Sequence, residues 1–247
     1  MSPRKKNKSV VALCVQEPLE DGSVMDFGII RGDDLRFLHQ AFITDSIVQA
    51  LGVPDIDLRL YYIDDPERKR LVKIVSDYLS GRAEKSQAFN NRFSTFDMSR
   101  ERWGLRIEKV FEDCFGAGYR KVVVVGSRTP TITAEMYQRV FRALEDSDAV
   151  FGPTPEGRYY LIGMNEKYHI RLSEYDWKSP SIYSEVAQAF STKKLAWAEL
   201  EIWYTVERND ELEIMARDIN QFRLQGDETT ARETELVLER ILAKLEP

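Results

Sequence analysis

Lys121-Val-Val-Val-Val-Gly126-Ser127-Arg128-Thr129-Pro130 is the stretch on which the fold turns. Four consecutive valines show no polar alternation, so they suit a central strand buried on both faces, as parallel sheets require. Working back from it, Ser99 to Phe115 reads as a helix stopped by Gly116-Ala-Gly118. Residues 82–98 have no clear period and are expected to form a long loop. Asp64-Asp65-Pro66 opens a helix that ends at Gly81, with Pro66 at a first-turn position. Ile56 to Tyr62 is a strand, Asp34 to Leu51 an amphipathic helix, and Ser9 to Val15 a buried strand. Working forward, Thr131 or Thr133 caps a helix to Glu145. Asp148 to Gly152 and Tyr159 to Gly163 read as strands joined by a turn over Pro153 to Arg158. Ser179-Pro180 opens another helix, Ala196 to Val206 extends, and Asn209 to Phe222 and Thr230 to Leu245 are helical. The β-α alternation predicts a three-layer α/β/α sandwich around a mostly parallel sheet. The expected organisation is a basic tail at 1–8 and a single α/β domain over 9–247 that includes the C-terminal helix.

Composition narrows the class. The 247 residues carry 35 Lys+Arg against 41 Asp+Glu, a formal charge of −6, which argues against a general nucleic-acid binder. At 43% hydrophobic and 31% charged the chain is globular, not disordered. No apolar run approaches the roughly 18 residues that span a bilayer. No secretory signal is expected, because the short apolar run Val10 to Val15 gives way at once to charged and turn-forming residues. Cys14 and Cys114 read as two buried free thiols of a cytoplasmic protein. Arg4, Lys5, Lys6 and Lys8 read as a solvated tail before a phosphate-binding arm. His39 and His169, each without a Cys or His neighbour, have no zinc spacing.

Ligands of open α/β sheets lie beyond the carboxyl ends of the strands. The loop after Val15 is acidic there: Glu17, Glu20, Asp21, Asp26, Asp33 and Asp34 stand against Arg31 alone. It would repel a diphosphate unless a divalent ion intervened. Neither G-x-G-x-x-G nor G-x-x-x-x-G-K occurs. After the valine strand, Gly126 permits close backbone approach, and Ser127 and Thr129 offer hydroxyls. Arg128 brings a planar fork suited to phosphate or carboxylate, although the residues alone first suggest an ordinary turn. In Glu156-Gly-Arg158-Tyr159-Tyr160 a carboxylate, a guanidinium and two phenols could orient a hydroxylated substrate, or form a polar hairpin rim. Trp177, with Asp176, reads as a core or rim aromatic before a ligand platform. Glu207 is a lone glutamate just past an extended segment.

In order and spacing these pieces resemble an uncharacterised bacterial family of glycosyltransferase-A (GT-A) type, the nucleotide-diphospho-sugar transferase fold. That family is itself similar to the guanylyltransferases of molybdopterin and phospholactate metabolism. The resemblance rests on Gly118 through Ser127, Pro130, Ala143 to Asp148, Val150 to Pro153, Glu156-Gly157, Tyr159 to Gly163, Trp177 to Ser179, and Trp203 to Val206. It implies a nucleotide or nucleotide-sugar ligand and a transfer reaction. The departures bear on both. Where the family has Gly-Ser-Asp-x-Pro, with an aspartate for a divalent metal, this chain has Arg128. Where it has Asp-Gly-Gly-Tyr-Tyr, this chain has Glu156-Gly157-Arg158-Tyr159-Tyr160. Asp-Val-Asp-Thr becomes Thr205-Val206-Glu207-Arg208, and the basic first loop is replaced around Val24-Met25-Asp26.

Three readings follow. The chain is a diverged member with weak or lost catalysis. Alternatively it is a metal-independent glycosyl- or nucleotidyltransferase with Arg128 and Arg158 on the diphosphate. Or the fold serves as a protein-interaction module. In the mechanism that the resemblance implies, the base and ribose lie over the end of Ser9–Val15. Ser127, Arg128, Arg158, Tyr159 and Trp177 hold the ligand, and Glu207 or Glu156 serves as base. Magnesium or manganese is disfavoured and no metal ligand is assigned. No membrane insertion is expected.

Overall fold

The computed structural model describes residues 8–15, 25–63, 65–81, 83–167 and 170–245. Of the sequence features above, His169, most of the basic tail, and Glu17, Glu20 and Asp21 of the first loop lie outside these residues.

The strands are β1 (Ser9–Cys14), β2 (Ile56–Tyr62), β3 (Phe93–Asp97), β4 (Lys121–Gly126), β5 (Ala149–Pro153), β6 (Tyr159–Asn165) and β7 (Trp197–Glu199). They form one sheet in the order β3-β2-β1-β4-β6-β5-β7. All neighbours are parallel except β6, which runs antiparallel to both β4 and β5. The valine strand is therefore central, with a parallel neighbour on one edge and an antiparallel one on the other. That reversal matters: it brings the start of β6 to the same edge of the sheet as the carboxyl end of β4, with Val125 opposite Leu161.

Period-two alternation sends β1 and β4 side chains to two cores. Val11, Leu13, Val123 and Val125 face the first core. They meet α1 (Gly32–Leu51), α2 (Asp65–Leu79), α3 (Ala83–Arg92) and α5 (Ala134–Asp146) there. Val10, Ala12, Cys14, Val122 and Val124 face the second, against α4 (Trp103–Gly116) and α6 (Ile182–Thr192). A third cluster joins the start of α1 to α7 (Asn209–Leu224) and α8 (Arg232–Leu245). The α/β/α sandwich expected from the element order is the observed one. Cys14 and Cys114 are both buried and free, and burial pushes both thiols above their usual range.

Three local readings need correction. Residues 82–98 are no long loop: they hold α3 and the edge strand β3, paired with β2 from Leu58↔Phe93 to Tyr62↔Asp97. An edge strand is half-buried on both faces, which removes the alternation that marks a strand. Helix α1 is not amphipathic either, being buried at every position from Leu38 to Leu51. Its polar side chains are matched inside the fold instead. Thr44 and Ser46 donate to the carbonyls of Gln40 and Phe42, one turn back. Asp45 accepts from the backbone N–H groups of Glu233 and Thr234 at 3.0 and 2.7 Å, and so caps the start of α8 from another helix. Gln49 accepts from the N–H of Ala134 at the start of α5. Thirdly, the run from Ala196 to Val206 is regular only in β7. Past it, Leu200, Trp203 and Val206 donate to the carbonyls of Phe151, Pro153 and Arg128, which leads the chain across the sheet to the end of β4. Among the described residues no helix is long and apolar enough to cross a membrane.

Candidate functional site

A cleft of about 900 Å³ opens at the carboxyl end of β4. From the strand side it is lined by Gly126, Arg128, Arg158, Tyr159, Tyr160, Thr205 and Glu207. The start of α4 and the turn before it contribute residues 100 to 106. The segment from Ser173 to Lys178, after β6, supplies most of the remainder. Six arginines and lysines face four acidic side chains along this lining, so the cleft is cationic although the chain is acidic overall.

Each strand-side group is held by its backbone. Arg128 follows β4, and its carbonyl accepts from Val206 at 2.8 Å. Its side chain is only 2% exposed, so a whole guanidinium is buried at the cleft wall. Arg158 sits where β6 begins: its N–H donates to the Thr154 hydroxyl, and its carbonyl accepts from the Thr154 N–H. Gly157, at φ +74°, makes that turn possible, and its carbonyl accepts from Tyr183 at the start of α6. The Glu207 carbonyl accepts from Asp26 at 2.8 Å.

These three elements bring two cations to one carboxylate. Arg128 Nη1 lies 3.4 Å from Glu207 Oε1, and Arg158 Nη2 lies 3.3 Å from Glu207 Oε2. Each oxygen of Glu207 faces a different guanidinium, and both contacts are longer than the ~2.7–2.9 Å of a strong charge-assisted hydrogen bond.

The other candidate residues are placed as follows. Ser127 is buried, and its hydroxyl is 2.9 Å from His39 Nε2. Burial, with the Arg128 charge added, lowers His39 to about 3, so its ring is neutral. Tyr159 lines the cleft, but its hydroxyl donates to the Tyr183 carbonyl, and burial pushes the phenol above its usual range. Trp177 also lines the cleft. Its Nε1–H donates to the Leu172 carbonyl at 2.7 Å, and its ring lies 5.9 Å from that of Tyr159. Glu156 stands in the β5–β6 turn and is not itself one of the residues that line the cleft. The helix-side cations Arg100, Arg102 and Arg106, with Trp103 among them, belong to the cleft and were not singled out from the sequence. Their signal is there: three arginines interleaved with a tryptophan at a helix start.

A divalent ion does not fit the strand-side donor set. The position at which the resemblance places a metal aspartate carries the buried cation Arg128, and the nearby Glu207 is shared between two guanidiniums. Among the described residues no three His, Cys, Asp or Glu side chains gather as a metal site would need.

This sheet order and cleft define a protein of nucleotide-diphospho-sugar transferase-like fold. A 1.90 Å crystal structure from Desulfovibrio desulfuricans G20, provisionally described as such a transferase, superposes with a TM-score of 0.70 at 22% identity. The match covers 95% of this chain and 98% of that one. A cytidylyltransferase from Leptospira borgpetersenii gives 0.53 at 9% identity, covering 96% of each chain. The 4-diphosphocytidyl-2C-methyl-D-erythritol synthase of Anaerococcus prevotii gives 0.51 at 15%, covering 87% of this chain and 96% of that one. In sequence, residues 67–179 match the family described as an uncharacterised protein conserved in bacteria (DUF2064). The resemblance to an uncharacterised bacterial family of this fold is thus borne out. No curated protein matches the chain.

Proposed function

We propose that this chain is a diverged protein of nucleotide-diphospho-sugar transferase type. Its cleft holds a nucleotide diphosphate or nucleotide sugar by guanidinium charge in place of a divalent ion, and its transfer chemistry is weak or lost. The observation that carries the proposal is the convergence of Arg128 and Arg158 on one carboxylate at the wall of an open, cationic cleft. Two planar forks that already grip one anion suit the oxygens of a diphosphate. The start of α4 adds the positive end of a helix dipole. Trp177 and Tyr159 offer flat apolar surface beside the charge. The cytidylyltransferase and the diphosphocytidyl-methyl-erythritol synthase of the same fold handle nucleotides by name, which favours a ligand of this class.

Weak chemistry follows from the candidate bases. Glu207 is engaged by two cations, Glu156 is not one of the lining residues, and the Ser127 hydroxyl is taken by His39. A general base must reach the proton it removes, and neither carboxylate stands alone in the cleft.

Calorimetric titration with UDP-, GDP-, CDP- and ADP-sugars, once with manganese and once with EDTA, tests the proposal. The expected result is micromolar binding that survives EDTA. Arg128→Ala removes one charge-assisted contact of about 1.5–3 kcal/mol, so it should weaken binding about ten- to a hundredfold. Binding that requires manganese, or an Arg128→Ala variant of unchanged affinity, would overturn the proposal.

A further inference from the structure

We propose that Glu207 is an internal competitor for the phosphate position. Its carboxylate occupies the place between Arg128 and Arg158 and is displaced by a phosphorylated ligand, so the cleft admits phosphoryl groups and refuses monocarboxylates. The inference rests on reading the cleft as a phosphate site, and it adds a selectivity to that reading.

The geometry separates what is fixed from what can move. Arg128 is 2% exposed and held among the strand ends, so its guanidinium stays where it is. The Glu207 side chain is 18% exposed and borders the cleft. Its main chain is anchored through the Asp26 N–H, and its neighbour Val206 is anchored on the Arg128 carbonyl, both at 2.8 Å. The carboxylate can therefore swing into the cleft by side-chain rotation with the backbone unmoved. Contacts of 3.4 and 3.3 Å, one per oxygen and neither of them a parallel fork, hold it less firmly than a bidentate pair would.

Selectivity follows from charge. A monoanionic carboxylate that displaces Glu207 exchanges like for like and must still meet the cost of association, so it gains nothing. A phosphate monoester carries about −1.5 to −2 near neutral pH, and the surplus charge is what the two guanidiniums reward. A ligand that leaves Glu207 in place meets its negative charge at close range instead.

The test titrates inorganic pyrophosphate and acetate, a monoanionic carboxylate, separately, into the full chain as wild type and as Glu207→Gln, with EDTA present and folding checked by thermal melting. Glutamine keeps the shape and removes the charge. The expected result is pyrophosphate affinity at least about tenfold higher in Glu207→Gln, with acetate binding only the variant. A silent wild type beside a variant that binds pyrophosphate also supports the proposal, as tight self-competition. If the wild type binds pyrophosphate and Glu207→Gln binds it equally or less well, Glu207 is a structural partner and the inference falls, while the cleft remains a phosphate site. Wild-type binding of acetate as tight as that of pyrophosphate overturns the selectivity. If neither protein binds pyrophosphate at millimolar concentration, this inference and the proposed function fall together. Should the glutamine variant not fold, Glu207→Asp decides the matter. Its shorter side chain gives up one arginine, so higher pyrophosphate affinity is expected, and unchanged or lower affinity counts against the proposal.

Discussion

Beneath the cleft, His39 keeps a neutral ring against Ser127 because burial and the Arg128 charge lower it from 6.5 to about 3. Above pH 6.5 neither the folded nor the unfolded chain protonates this ring. Below it the unfolded chain takes up a proton that the folded one refuses. The contribution of His39 to stability is therefore complete above 6.5 and is lost as pH falls towards 3, by up to about 1.4 kcal/mol per pH unit. Asp45 slopes the other way. Burial raises it from 3.8 to about 7, against the pull of the Thr234 and Glu233 donors. Its contribution is complete below 3.8 and is lost as pH rises through about 7. The two slopes oppose one another between 3.8 and 6.5. His39→Gln, which retains a polar partner for Ser127, should expose the Asp45 slope and gain stability relative to wild type as pH falls over that interval. Urea unfolding at several pH values reads this directly, and parallel curves for the two proteins would contradict it.

Among the elements, α4 shows how packing serves the cleft. Gly104 lies in its first turn with the Trp177 indole directly against it, and an added Cβ would also come within 2.7 Å of the Leu172 carbonyl. Alanine favours helices by up to about 1 kcal/mol over glycine. Here a backbone oxygen and a large ring must both yield, so overpacking of about 1–3 kcal/mol outweighs that gain. Gly104→Ala should lower the urea midpoint and also weaken nucleotide binding, because the Trp177 that it displaces lines the cleft. A variant more stable than wild type would show that the contact is loose. The same elements show what a sequence can disclose. Strand β4 is legible because it is buried on both faces, so four valines in a row have one reading. Strand β3 and helix α3 are not: the first is a half-buried edge, and the second has Ala88 and Phe89 as its apolar anchors, too few for a period. Helix α1 misleads for the opposite reason, since its Thr, Ser, Asp and Gln look like a wet face but are satisfied internally. The site is legible as residue types only. Arg128, Arg158 and Glu207 meet because β6 turns back beside β4, and the valine run discloses nothing of that neighbour's direction. Arg100, Arg102 and Arg106 reach the cleft through the packing of α4 on the sheet, which no local spacing encodes.

For the molecule as a whole, charge is distributed against its own sum. The chain carries −6, yet the cleft lining has more cations than anions. An anionic ligand is repelled at long range and attracted once inside, with the low-dielectric walls strengthening the second effect. A ligand that binds only the folded state raises stability by about 2.7 kcal/mol at a hundred times its Kd. For a chain of this length one kcal/mol shifts the melting temperature by about 2–4 °C, so a saturating nucleotide diphosphate should raise it by about 5–10 °C. The guanidinium pair is part of the polypeptide, so the shift should be the same in EDTA as with manganese, and smaller in Arg128→Ala. Raised ionic strength should reduce it only modestly, because Arg128 is buried and buried charges are poorly screened. A shift that vanishes in EDTA would mean that a metal carries the contact and that the arginines merely border it. A shift that vanishes in half-molar salt would move the binding to the exposed cations and away from Arg128.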